Sequence, residues 1–148
     1  MKISAKGRYG LAAMAFLALF CQANSPTTIL TISENLGISK IYLEQVFSLL
    51  KHARLVTSSK GSQGGYHLAR AAQEITAWDV LSAIELPLTE RTGSATGDAQ
   101  EDLEKALASS VYEPLDTAIR TTLQSVSLRT IIEEEDRRKS KDNIMYFI

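Results

Sequence analysis

Two short helical patterns separated by one glycine constrain this chain more than anything else in it. Thr31-Ile-Ser-Glu34 reads as a capping box, in which a hydroxyl and a carboxylate satisfy each other's backbone donors. It opens a helix that stops at Gly37, the residue best suited to a left-handed cap. Ser39 then caps a second helix running to about His52. There Leu43, Val46, Phe47 and Leu50 recur at i, i+3, i+4 and i+7 and form the buried face. Two short helices joined by a turn of about four residues around a glycine make a helix-turn-helix. Leu55-Val56-Thr57 and Tyr66-His67-Leu68 follow as strands on either side of the polar, Gly-rich stretch Ser58–Gly65, and read as a β-hairpin. Helix, turn, helix, hairpin is the order of a winged helix-turn-helix, so the expected fold is mainly α with a two-stranded wing.

The segment before this unit, Ser4–Gln22, reads as a helix that stops around Asn24-Ser25-Pro26. Its apolar run Leu11–Cys21 follows Lys2, Lys6 and Arg8 and imitates a signal peptide. The run is far shorter than the roughly 18–20 residues that span a bilayer, and Phe20 occupies the place where a lipoprotein signal wants a small residue. A buried first helix and a cytoplasmic chain are the expectation. Thr76-Ala-Trp-Asp79 resembles a second capping box, opening a helix to about Glu85 that Pro87 ends, and Glu90–Gln100 is a polar loop with Gly93 and Gly97. From Asp102 to Val126 a long helical pattern places Leu103, Leu107, Val111, Leu115, Ala118, Ile119, Thr122 and Val126 on one side, with Pro114 either kinking it or starting its second half. Ser127 caps a last short helix through Ile131 and Ile132. Glu133–Asp142 reads as a solvated, partly disordered charged tail, and Ile144-Met-Tyr-Phe-Ile148 as a segment that docks on another surface. The organisation expected is a DNA-binding domain over residues 1–86, a loop over 87–101, and a dimerisation helix with its tail over 102–148.

Charge sorts the function classes. The chain has 148 residues and a formal net charge of −1. Residues 1–70 nevertheless carry eight basic groups against two acidic, and residues 71–148 eight against fifteen. A front at +6 and a back at −7 suggest a front that faces a polyanion. With Leu43, Val46, Phe47 and Leu50 buried, Lys40, Ile41, Glu44, Gln45 and Ser48 fall on the opposite face of their helix. Gln can pair with both hydrogen-bonding groups of adenine in the major groove, Glu accepts from the cytosine amino group, and Lys reaches guanine or phosphate. The loop from Lys60 to Gly65 is not a nucleotide P-loop, because its Lys comes first and a strand follows it. Its glycines fit positive φ angles and a close approach to a DNA backbone. His52 and His67 have no spacing that suggests a metal pair or a triad, and Cys21 reads as an inert buried thiol. No catalytic or metal-ligating set emerges.

Met1-Lys-Ile-Ser-Ala-Lys-Gly-Arg-Tyr-Gly10, Tyr42-Leu-Glu-Gln45 and Gly61-x-x-Gly64-Gly65-Tyr66 closely resemble the bacterial IscR/NsrR/CymR family of winged-helix regulators. The ending Tyr146-Phe147-Ile148 resembles the cysteine-metabolism-repressor (CymR) branch. The resemblance implies a homodimer on a pseudo-palindromic operator in double-stranded promoter DNA, swapping contacts through its long C-terminal helix. It places Glu44 and Gln45 in the major groove and the wing around Lys60 in the minor groove. The DNA-facing set is then Lys2, Lys6, Arg8, Ser39, Lys40, Ile41, Tyr42, Glu44, Gln45, Ser48, Lys60, Gly61, Gly64, Gly65 and Tyr66. The dimer seam is Leu107, Val111, Leu115, Ile119 and Val126. Many members carry Arg where this wing has Lys60, which keeps phosphate attraction but weakens shape readout. Iron–sulfur members carry three cysteines before the long helix; Glu90–Ala106 has none, so no cluster and no other cofactor is expected. A repressor of sulfur, cysteine or redox-related genes is the expected role. Three alternatives stay open: a module that binds a regulatory protein partner through wing and tail, a small-molecule or redox enzyme, and an iron–sulfur sensor whose ligands were replaced at Ala95, Ala99 or Ala106.

Overall fold

Helix α1 (Ala5–Phe20) is the axle of the structure, because it is apolar nearly all round and buries Ala13, Met14, Phe16 and Leu17. The computed structural model describes residues 3–20, 25–62, 64–85, 88 and 93–146. Lys2, Cys21 and Pro87, and Phe147 and Ile148 of the apolar ending, lie outside them. Helices α2 (Ile29–Leu36) and α3 (Lys40–His52) form the helix-turn-helix, and β1 (Val56–Ser59) and β2 (Gly65–Leu68) the wing. Helix α4 (Ala77–Ile84) packs on α1, and the Glu85 carboxylate just beyond it accepts from the Ser4 N–H at the start of α1, at 2.8 Å.

Leu43, Val46, Phe47 and Leu50 are fully buried, as their spacing requires, and join Leu17, Ile32, Val56, Ile75 and Val80 in one core. Gly37 caps α2 at φ 66°, and the reciprocal Thr76–Asp79 box is formed. The start of α2 differs from expectation. Thr28, not Thr31, is the N-cap: its hydroxyl accepts from the Thr31 N–H at 3.1 Å, so the helix begins one turn earlier. Ser39 stands at the cap of α3 but makes no side-chain cap hydrogen bond there. The wing pairs Val56 with Leu68 and Ser59 with Gly65. Thr27 adds a short third edge, exchanging two 2.8 Å backbone hydrogen bonds with Tyr66.

The long helical pattern is realised in three pieces: α5 (Glu101–Leu107), a π-turn (Ala108–Tyr112) and α6 (Glu113–Gln124). Pro114 has no N–H to give and its ring crowds the carbonyl four residues back, so the widened turn before it lets α6 start afresh. The helix stops at Gln124, two residues short of expectation. Val126 lies beyond it, because its carbonyl accepts from the Ala77 N–H at 2.8 Å and Leu128 N–H donates to Ile75. That bridge returns the chain to the core, where Leu128 is fully buried.

Ser127 does cap the last helix, but α7 continues from Leu128 through Tyr146 instead of ending after Ile132 in a disordered tail. The reason is local. Arg129–Glu133, Glu134–Arg138 and Glu135–Lys139 pair at i, i+4 along an exposed face. Hydrogen bonds from Arg137 and Arg138 hold the Glu134 carboxyl down at about 2.

Candidate nucleic-acid interface

Burial of one face of α3 dictates what the other face offers. Lys40, Ile41, Glu44, Gln45 and Ser48 are all exposed, Ile41 to 68%. Gln45 has no hydrogen-bond partner among the described residues, so its amide is free at both ends. Lys40 and Glu44 approach at 3.9 Å with both side chains more than half exposed, a pairing worth too little to hold either group back from a ligand. The face combines an amide, a carboxylate, a cation and an apolar tip, the set that distinguishes base edges in the major groove.

Tyr42 is turned differently. Its ring meets Tyr9 of α1 edge to face at 5.8 Å, tying the first turn of α3 to the first helix while leaving 49% of the side chain exposed. Arg8 is exposed on the same helix and Lys6 half-buried. In the wing, Lys60 and Gly61 are exposed at the tip, whereas Tyr66 packs its ring on Phe47 at 4.6 Å and belongs largely to the core. Gly64 and Gly65 are held to glycine by the chain itself: a Cβ on Gly65 would stand 2.6 Å from the Thr27 carbonyl oxygen, and one on Gly64 2.6 Å from that of Ser59. An internal close approach thus requires glycine at both positions, and Gly65 has the positive φ, 156°, that its sequence reading expected.

Of the expected seam, Val111 and Leu115 are exposed, Leu107 and Ile119 half-buried, and Val126 is engaged by Ala77. Sequence reading missed Arg54. It sits at φ 60° just past α3, the one described non-glycine residue with positive φ, and its place in a helix C-terminal position usually given to glycine is the signal that could have found it. The Tyr9 contact was also missed, although Tyr9 stands within the Gly-Arg-Tyr-Gly motif. The loop before α5 offers oxygen rather than sulfur donors. Glu104 accepts from Ala95 N–H with one carboxylate oxygen and from the Thr96 hydroxyl with the other, and residues 93–106 contain neither Cys nor His. An iron–sulfur cluster does not fit that donor set. No group of three or more potential metal ligands converges among the described residues.

The family model Rrf2, described as an iron-dependent transcriptional regulator, matches residues 3–134. The chain belongs to the Rrf2 family. It is 35% identical to the HTH-type transcriptional regulator IscR of Vibrio campbellii, over 92% of this chain and 80% of that one. Its fold is similar to that of CymR, the global cysteine regulator of B. subtilis, at TM-score 0.71 and 32% identity, covering 90% and 98% of the two chains. T. potens IscR is equally similar, at TM-score 0.71 and 33% identity, covering 91% and 88%. This Rrf2 protein is therefore a DNA-binding transcriptional regulator of winged-helix fold, not an enzyme. No described helix is long and apolar enough to cross a membrane.

Proposed function

We propose that this Rrf2 protein is a homodimeric repressor that reads a pseudo-palindromic operator, with Glu44 and Gln45 of each α3 in the major groove and Lys60 of each wing over the adjoining backbone. The observation that carries the reading is the exposed polar face of α3, with Gln45 free and Lys40 and Glu44 only loosely paired, opposite four fully buried apolar residues. One module reads a short stretch, and a two-fold pair doubles the site. Leu115, 56% exposed, and Val111 on the long helix supply an apolar surface that a second copy would cover. Likeness to CymR supports a role in sulfur or cysteine metabolism, and the absence of thiol or imidazole donors in residues 93–106 supports regulation without a cluster.

Two measurements test it. Promoter fragments selected by the purified protein from a random pool should carry inverted half-sites about one helical turn apart. Their affinity should fall with a log–log salt slope on the order of −5 or steeper, since each phosphate contact contributes about −0.9. Sedimentation should give a dimer for the wild type and a monomer or aggregate for Leu115→Glu, whose carboxylate would enter an apolar seam. A flat salt response, or a monomeric wild type holding a single half-site at full affinity, overturns the reading.

A further inference from the structure

The long helix is a lever fixed near one end. From Val111 to Ala118 every residue is exposed, so the middle of the helix stands clear of the body. Its C-terminal end is held by two things: the backbone bridge that joins Val126 and Leu128 to Ala77 and Ile75, and the packing of α6 on α4. In that packing the Arg120 guanidinium lies over the Trp78 indole, 5.0 Å from the ring centroid. No carboxylate pairs with Arg120 among the described residues, although Asp116 stands one turn before it. The cation therefore interacts with the ring face instead of an acid. A planar guanidinium held over an indole face presents a broader, more directional contact than a flexible ammonium does.

We propose that Arg120 is a positioning residue that, through Trp78, sets the angle between the long helix and the DNA-binding body and thereby selects the half-site spacing the protein accepts. The proposal rests on the dimeric reading above. The lever makes the angle matter. About 13.5 Å of helix separate Arg120 from Val111 in the apolar surface at 1.5 Å per residue. A tilt of about 10° at the pivot then displaces that surface by about 2.4 Å, and by about 5 Å when both subunits of a two-fold pair tilt together. Against the roughly 3.4 Å rise of one base pair, that is more than one step of operator length. The backbone bridge fixes where the helix leaves the body, and the packing of α6 on α4, with Arg120 over Trp78 one turn inside the helix, restrains its tilt. Neither residue lies on the exposed face of α3, so half-site sequence should be read independently of it.

The test uses the full chain and DNA selected by the wild type from a random pool, rebuilt as a panel with the half-sites moved together or apart by one and two base pairs. Wild type, Arg120→Ala, Arg120→Lys and Trp78→Phe are compared for sedimentation, half-site consensus and relative affinity across the panel. Trp78, the only tryptophan, reports the contact directly by its emission. The expected result is a dimeric Arg120→Ala protein with unchanged half-site consensus, shifted emission, and a spacing preference reduced from tenfold or more to about threefold or less. Arg120→Lys and Trp78→Phe, which keep a cation and a ring face, should fall between. A dimeric Arg120→Ala protein with the wild-type spacing preference overturns the proposal alone. A monomeric wild type overturns the dimeric reading and this proposal with it.

Discussion

Replacing Gly65 by Ala tests whether the wing is held by the chain's own backbone. The added Cβ would stand 2.6 Å from the Thr27 carbonyl oxygen and 2.7 Å from its carbon. Both obstacles are main chain, fixed by the paired 2.8 Å hydrogen bonds between Thr27 and Tyr66, so neither can swing aside as a side chain would. Relief requires the edge to open. Losing two such bonds costs about 0.5–1.5 kcal/mol each, and strain that is not relieved costs about 1–3 kcal/mol. Against this, Ala narrows the unfolded ensemble by about 0.4–1 kcal/mol. The net loss should be about 1–2 kcal/mol, read as a lower urea midpoint at unchanged slope, together with weakened DNA binding as the wing loosens. Gly97→Ala is the control, since nothing lies within 4 Å of its added Cβ; it should match or slightly exceed wild-type stability. A Gly65→Ala protein as stable as the wild type would refute the argument that Thr27 is immovable.

Further outcomes follow from the same geometry. Gln45→Ala should alter the consensus selected from random DNA, whereas Lys60→Ala should lower affinity for all sequences and flatten the salt slope by about one per wing. Arg54→Gly should raise stability by about 0.5–1 kcal/mol in urea titration, because φ 60° strains an L-residue more than glycine's extra chain entropy costs. Acid should fray α7 selectively. Glu134 is held at about 2, below its ordinary value near 4.5, so its contribution is complete above that value and lost as pH falls towards 2. Circular dichroism of the wild type should lose helix over that window, and Glu134→Gln should show a smaller loss, since the Glu133 and Glu135 pairs remain.

What the sequence disclosed was whatever a local rule governs. The four apolar positions of α3 were legible because one helix face decides them, and the Thr76–Asp79 box because both its bonds close within four residues. The winged order and the polar face carrying Glu44 and Gln45 followed from those. Where two local answers competed, a distant contact chose. The sequence pointed to Thr31 as the cap, but Thr27 is drawn out straight by Tyr66, and the helix starts immediately after it, capped by Thr28. Val126 fits the helical pattern of α6 until Ala77 claims its carbonyl. The fate of Glu133–Asp142 was the reverse case: its i, i+4 pairing was present in the sequence, and the density of charge concealed it. Tyr9 and Arg54 lacked any periodic signal and became visible only through a ring contact and a dihedral angle.

The π-turn at Ala108–Tyr112 has a consequence for phase. Leu103, Leu107, Val111, Leu115 and Ile119 recur at intervals of four, a spacing that no straight α-helix keeps on one side. At about 100° per residue the sixteen steps from Leu103 to Ile119 would end about 160° away from where they began, nearly on the opposite face. The wider turn withholds roughly one residue's worth of rotation and brings the error down to about 60°. The helix thus acts as a vernier: one widened turn near Pro114 brings a sequence period of four back into step with a helical period of 3.6, and a stripe that would otherwise spiral around the rod runs nearly along it.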